Sequence, residues 1–462
     1  MNTRFRYESA RPDPFWIGTV STPFRAMPLK QDVTCDLAIV GGGFSGLWSA
    51  LKAKEQFPDS RIIVLEGGTI GNAASGRNGG FCAPSISHGV SNAVARWPQE
   101  AETLVRLGRE NLDGLEQDLQ TYAIDGGFER SGKLNVAATP WQVDGLRRVQ
   151  QTYARFGIET TFLEGAALDA RFNTPRYQAG LYEPNYALVN PARLVDGLAK
   201  ASTARGVEIY EGTQVTALAD QGDSIALSTA QAVVNARKVI LATNAAVPLL
   251  RRLRPAILPI WDYTLMSEPL SDDQLAAIGW QGRYGIADSG NQFHYFRKTQ
   301  DNRILWGGYD AVYYYGSNRD PQLTERSETY RRLEQNFFDA FPALEGIGFS
   351  HRWGGIIDTS ARLTAFAGTA MKGRLAYAMG FTGQGVSATR FGALTMLDLL
   401  AGRDTERTRL KMLRSTPVPF PPEPLRHWVV KRAQGDLAQE DATGKRSALL
   451  RTLDRFRIGF GS

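Results

Sequence analysis

The stretch "CDLAIVGGGFSGLWSALKAKEQFPDSRIIVLEGG", Cys35 to Gly68, reads as strand, tight turn, helix and strand. Leu37 to Val40 is a short apolar run of the kind that fills a parallel strand buried on both faces. Gly41, Gly43 and Gly46 form G-x-G-x-x-G. The first glycine turns the chain, the second lets backbone approach a pyrophosphate, and the third lets the helix pack on the strand. A helix opening at Phe44 and Ser45 offers unbonded N–H groups and the positive end of its dipole to phosphates. Arg61 to Leu65 reads as a second strand. It delivers Glu66, with Gly67 beside it, at the spacing where a carboxylate holds ribose hydroxyls. G-x-G-x-x-G alone is a weak signal. With the strand before it, the helix behind it and the acid in place, it predicts a dinucleotide site without saying which dinucleotide.

Just beyond lies "GNAASGRNGGF", Gly71 to Phe81, with four glycines in eleven residues. A nicotinamide dehydrogenase would run on into further strand and helix units, whereas here bare backbone follows the second strand. This arrangement resembles the glycine/D-amino-acid oxidase family of FAD enzymes, in particular its amine and γ-glutamylputrescine oxidase branch. The resemblance implies that Ala74, Ser75, Gly76, Arg77, Asn78, Gly79 and Gly80 run past the pyrophosphate and along the isoalloxazine ring. Small residues permit that close approach, and N–H donors can meet the polar ring edge.

The resemblance extends along most of the chain. "LVNPARLVDGLAKASTARGVEIYEGTQVTAL" starts a helix at Pro191, follows with a strand at Val207 to Tyr210, and implies adenine binding near Val215. "ARKVILATNAAV" implies a strand entering Ala242, Thr243 and Asn244 beside the dinucleotide. "HRWGGIIDTSARLTAFAG" brings Gly354, and Gly380 to Gly385 read G-F-T-G-Q-G where the family usually has G-[FY]-[ST]-G-H-G. Gly383, Gln384, Gly385 and Val386 are thereby implied to face the flavin's carbonyl end. There the helix that follows would stabilise the charge of the reduced ring. Gln384 can donate a hydrogen bond but cannot carry a covalent histidyl link. Cys82 is the other conceivable attachment point, against the plainer reading of a buried core thiol. Non-covalent FAD is therefore expected.

Two departures bear on substrate. Sarcosine oxidase-like members carry a carboxylate-binding lysine just after the closing motif, where this chain has Ser387, and an arginine where it has "GGFCAP". Both changes suit an amine, or a carboxylate far from the reacting carbon, with Arg77 and Arg352 left as anion partners or structural residues. "NQFHYFRKTQDNRILWGGYD" reads as an aromatic hairpin around "TQDNR". Tyr263, Tyr295, Trp306, Arg352 and Trp353 are the expected substrate contacts, with Tyr309 alternating in the same hairpin. Matching "RILWGGY" to the family puts Trp306 where sarcosine oxidase-like enzymes place an oxygen-activating lysine.

Composition bounds the rest. The chain of 462 residues, 43% hydrophobic and 22% charged, has room for two or three domains of a globular protein. No apolar run reaches the roughly 18–20 residues that span a bilayer, and the N-terminus has Arg4 and Arg6 but no apolar h-region of a signal peptide. Two cysteines without C-x-x-C spacing argue against a disulfide framework and for a reducing cytoplasm. Thirteen Lys/Arg against seven Asp/Glu from Ala401 onward account for the whole formal charge of +6, so the excess is a tail, not a nucleic-acid footprint. Four scattered histidines give no metal motif, and no G-x-S-x-G elbow appears.

The expected fold is α/β: a Rossmann-type FAD-binding domain with a second, mixed-sheet substrate domain, as in D-amino-acid and sarcosine oxidases. The FAD domain should comprise residues 1–94, 190–256 and 351–410, and the substrate domain 95–189 and 257–350. Residues 411–462 form a helical extension. In it "KRSALLRTLDRFRIGF" aligns Leu449, Leu450, Leu453, Phe456 and Ile458 on an apolar stripe. That stripe suits docking on its own domain or, alternatively, a membrane surface or a second subunit. The expected function is oxidation of an amine C–N bond to an imine, by hydride transfer to flavin, with oxygen or a quinone-type carrier taking the electrons. The rivals are a D- or secondary α-amino acid dehydrogenase and a flavin-binding assembly protein without turnover. This chemistry demands a dry, aligned site more than a general base, and no catalytic residue is singled out.

Overall fold

In a computed structural model, which describes residues 5–456, 458 and 459, the fingerprint takes the expected form. Arg4 and the end of the basic tail lie outside those residues. Val33–Val40 is a strand whose last four residues are buried, Phe44–Gln56 is a helix, and Ile62–Leu65 is a fully buried strand. The helix is apolar on nearly every side of its first three turns, because the sheet lies on one flank and further helices cover the other. In the central sheet the order is Phe366–Ala370, Leu375–Met379, Val233–Leu241, Val33–Val40, Ile62–Leu65 and Glu208–Tyr210. The last five run parallel, and Phe366–Ala370 closes the edge antiparallel.

The second sheet has eight strands, in the order Phe349–Thr359, Leu258–Ser267, Ile304–Gly308, His294–Lys298, Gly285–Asp288, Lys133–Ala137, Ala179–Glu183 and Thr161–Glu164. Its pairings are antiparallel except Gly285–Asp288 with Lys133–Ala137. The predicted hairpin is there, with Thr299 to Arg303 as its turn. One face of this sheet buries Phe296, Trp306, Phe337 and Phe341. The opposite face borders a large cavity.

Three expected boundaries shift. Phe349–Thr359 pairs along Leu258–Ser267, so it belongs to the second sheet and the third FAD segment begins after it. Helix Ala101–Thr121, expected in the substrate domain, packs its leucines with helices Phe44–Gln56 and Gly385–Leu400 in the core of the first sheet. The N-terminal arm, expected with the FAD domain, starts on the other one: Arg352 N donates to Arg11 O at 2.8 Å, and Tyr7 and Ala10 join the second core.

The tail packs on the chain itself. Asp441, on helix Leu425–Thr443, accepts hydrogen bonds from Asn291 N at 2.7 Å and Gln292 N at 2.8 Å. In helix Ala448–Arg455, Leu450 is buried against Ala433 and Leu437 with Leu453 beside it, while Phe456 stays exposed. Of the two readings of this stripe, the structure shows intramolecular docking. Among the described residues no helix is long and apolar enough to cross a membrane, and no cluster of metal ligands occurs.

The three helices of the first core are tied by a buried ionic group. Asp118 takes Lys52 Nζ at 2.6 Å and Arg390 Nε at 2.7 Å, joining Ala101–Thr121 to the helices that open at both glycine motifs. Removing one partner of a buried pair strands the others and costs about 3–5 kcal/mol. Asp118→Ala should therefore lower unfolding free energy by about that much in urea titrations. A loss below about 1 kcal/mol, as for an exposed pair, would show the group to be incidental.

Candidate active site

The fingerprint glycines are where a side chain cannot fit. A Cβ on Gly41 would lie 2.4 Å from Ala242 O, one on Gly43 2.8 Å from Ser75 Oγ, and one on Gly46 1.9 Å from Gly41 O. Gly41 also sits at φ +109°, a region that side-chain-bearing residues rarely adopt. The helix behind them takes one side-chain cap, Ser75 Oγ accepting from Phe44 N at 2.9 Å, and the one opening at Gly385 has none from its N-cap residue. Two positive helix ends therefore point into one cavity, each behind a glycine turn.

Each turn is pinned by an acid. Glu66 accepts from Gly42 N at 2.7 Å and from Gly68 N at 2.8 Å, one oxygen each. That leaves lone pairs on both oxygens for hydroxyl donors. Asp358 accepts from Gly380 N at 2.6 Å and Phe381 N at 3.3 Å, setting the G-F-T-G-Q-G turn. Burial pushes its carboxyl up to about 7, against the pull of those N–H donors.

The loop Ala74 to Gly80 is rigid by construction. Asn78 Nδ2 donates to Ala74 O and Ser75 O at 2.9 and 3.0 Å, and its Oδ1 accepts from Gly80 N at 2.9 Å. Arg77 Nη1 donates to Gly354 O at 2.8 Å and Trp353 Nε1 to Arg77 O at 2.8 Å. Arg297, buried, donates to Val189 O at 2.7 Å and reaches Gly79 O at 3.4 Å. Burial lowers its guanidinium to about 10.

These turns and the loop surround one cavity of about 1540 Å³. Gly41, Gly43, Phe44, Ser45, Glu66, Gly67, Ala74, Ser75, Arg77, Asn78, Gly79, Val215, Ala242, Thr243, Gly383, Gln384, Gly385 and Val386 line it. Gly46, Gly76, Gly80 and Gly354 stand behind that lining as packing or hydrogen-bonding backbone. Glycine cradles, two helix N-termini, a carboxylate with open lone pairs and this volume fit a dinucleotide with a bulky ring system.

The second sheet contributes Tyr295, Asp262 and Thr264 to the same cavity. Tyr295 Oη donates to Asp262 Oδ2 at 2.5 Å and lies 3.2 Å from Thr264 Oγ1. Its ring abuts the loop, since a Cβ on Gly79 would meet it at 2.8 Å. Burial raises the Asp262 carboxyl to about 6, the Tyr295 hydrogen bond opposing.

The other expected substrate contacts lie elsewhere. Tyr263 alternates to the far face of the sheet and donates to Leu323 O at 2.7 Å. Trp306 pairs with Phe296, not Tyr295, so it too faces the core, its ring 4.2 Å from His294 and 4.8 Å from Phe296. Strand alternation leaves Gly307 opposite Tyr295, so this strand offers the cavity no cation at the place matched to the family's lysine. Arg352 is spent on Tyr7 O, Ala10 O and Glu325, and Trp353 is buried behind the loop. Ser387 is fully buried, its hydroxyl on Ala83 O at 2.7 Å. Tyr309 does line the cavity. Sequence reading missed Asp262, Asp358 and Arg297. The two aspartates are lone acids in apolar strands, and that oddity was the available signal.

A family profile, DAO, FAD dependent oxidoreductase, matches residues 36–399. The chain is 31% identical over 388 residues to gamma-glutamylputrescine oxidoreductase of Escherichia coli K12, covering 82% of this chain and 86% of that one. It is 25% identical over 413 residues to a probable oxidoreductase, OrdL, of Haemophilus influenzae, covering 88% and 91%. Its fold matches the crystal structure of glycine oxidase from Geobacillus kaustophilus with a TM-score of 0.70 at 21% identity, over 83% of this chain and 99% of that one.

Glu66→Gln should weaken FAD retention by about tenfold or more, because hydrogen bonds to a charged acceptor are worth about 1.5–3 kcal/mol. Titration of apo-protein measures this, and an unchanged affinity would remove Glu66 from the ribose. Cys82 is fully buried, its thiol pushed up to about 12 by burial, and lies outside the cavity lining. Acid precipitation should accordingly leave the flavin in the supernatant. A yellow pellet would contradict non-covalent binding.

Proposed function

The chain belongs to the DAO family of FAD-dependent oxidoreductases, and on that premise we propose that it oxidises the C–N bond of an amine to an imine, which water then hydrolyses. One observation carries the choice of amine: the polar group facing the cavity beside the flavin loop is a carboxylate, Asp262, held by Tyr295. An α-amino acid bound by its carboxylate would need a cation there. Arg77, the cation at that place, already donates to Asn72 O and Gly354 O, while Arg352 and Ser387 are engaged away from the cavity. The relative from Escherichia coli, named for gamma-glutamylputrescine, supports the same substrate class.

Bound FAD supplies the two-electron acceptor for this reaction. The residues supply the rest. Glu66 and the helix N-terminus at Phe44 would hold the nucleotide half, and the N–H groups at Gly385 and Val386 would offset negative charge on the ring. Asn78, Arg297 and Arg77 fix the loop, and the second sheet walls the cavity on the side opposite the fingerprint. Asp262 receives the ammonium proton, because only a neutral amine can release hydride from its neighbouring carbon. Electrons pass on to oxygen or a quinone-type carrier. Two buried, unbridged thiols support a cytoplasmic setting.

Anaerobic mixing with a panel of amines and D-amino acids tests the substrate class, since bleaching of the flavin band reports reduction. Amines should bleach it, and bleaching by α-amino acids alone would overturn the reading. Asp262 works as a base only when ionised, so kcat/KM should rise with pH through about 6. Asp262→Asn should abolish that limb and lower kcat/KM by about 10²–10⁴-fold. Persistence of the limb in the variant would assign it to another group.

A further inference from the structure

Beyond Tyr295 the cavity continues along the second sheet to a lobe that the oxidation of a simple amine leaves unused. Lys133 and Glu183 are directly opposite one another on neighbouring strands, and both line it. Glu183 is 6% exposed. Among the described residues neither side chain has a hydrogen bond or a close ion pair; each feels the other's charge, Glu183 feels that of Arg109 too, and the Tyr186 ring lies 5.5 Å from Lys133 Nζ. Tyr153, Tyr186 and Asn135 border the same lobe, and Arg109 joins them while donating to Gly157 O at 3.0 Å. Burial pushes the Glu183 carboxyl up and the Lys133 ammonium down, so each charge is held at a cost that a bound partner would relieve.

Opposite charges side by side at a cavity wall, near each other yet with no hydrogen bond to either, suit a ligand that carries both. We propose that Lys133 and Glu183 form a head-group site for the zwitterion of an α-amino acid, carboxylate to Lys133 and ammonium to Glu183, at the far end of the substrate from its reacting amine. The proposal rests on the amine reading above and makes it narrower. The strand of Lys133 is two places from that of Tyr295, about 10 Å at the usual strand spacing. Phe81 spans the interval, its ring 5.8 Å from Tyr295 and 6.5 Å from Tyr186. The substrate is therefore an amine joined by a spacer of roughly that length to an intact amino acid group, as in an ω-amide of an acidic amino acid with a diamine. A small amino acid would leave one of the two ends empty.

Calorimetric titration of the FAD-loaded protein tests this without turnover. The probes are γ-glutamyl n-butylamide, which has head and spacer but no oxidisable terminal amine, and N-butylpentanamide, the same chain without charges. The first should bind at least tenfold more tightly. Lys133→Met should weaken it about tenfold and do the same to the carboxylate-only glutaric mono-butylamide. Glu183→Gln should instead penalise the ammonium-only 4-aminopentanoic butylamide. Equal binding of charged and uncharged probes, no binding of the γ-glutamyl probe, or an equal loss of every probe in both variants would overturn the assignment. Failure of every amine to bleach the flavin would sink the amine reading separately, because these titrations need no oxidation.

Discussion

The close approach of backbone to backbone at Gly41, Gly46 and Ala242 is the constraint on which the rest of the structure depends. A Cβ at Gly46 would sit inside contact distance of Gly41 O, and one at Gly41 would strike Ala242 O. Without that approach the helix Phe44–Gln56 could not seat on the sheet with its open end at the cavity. The same economy recurs at Gly380, where Asp358 takes the turn's N–H groups as Glu66 takes those at Gly42 and Gly68. Two acids, one just past a strand and one within another, thus shape two glycine turns, and each turn aims a helix end inward.

The nucleotide half of the cavity was legible in the sequence because its parts are local. Turn, helix and acid fall within thirty-odd residues, and each is fixed by backbone needs that only particular residues meet. The loop Ala74 to Gly80 was legible through resemblance, although two of its braces, Trp353 on Arg77 O and Arg297 reaching Gly79 O, come from distant strands that no local pattern marks. The substrate half was legible only in part. Aromatic alternation identified the hairpin, but a one-residue difference decides which face a side chain takes. Tyr295 faces the cavity and Trp306 the core, and that choice is made by pairing between strands. Lys133 and Glu183 are fifty residues apart and meet only through sheet register.

The electrostatics of the two ends differ in a way that orders a substrate. Beside the flavin loop stands a carboxylate satisfied by a tyrosine, able to accept a proton. At the far lobe stand two opposite charges that attract each other but have no hydrogen bond from the described residues. A protein seldom leaves buried charges unpaired without a partner to receive. The second sheet carries both ends on one rigid surface, so the distance between them acts as a ruler for the molecule that lies across it.

A crystal structure of the FAD-loaded protein with γ-glutamyl n-butylamide would test this account most directly. It predicts the flavin ring along Ser75 to Gly80 facing Tyr295, with the ligand's carboxylate and ammonium at Lys133 and Glu183. Ligand density lying wholly on the flavin side of Phe81, with Lys133 and Glu183 still unpartnered, would contradict it.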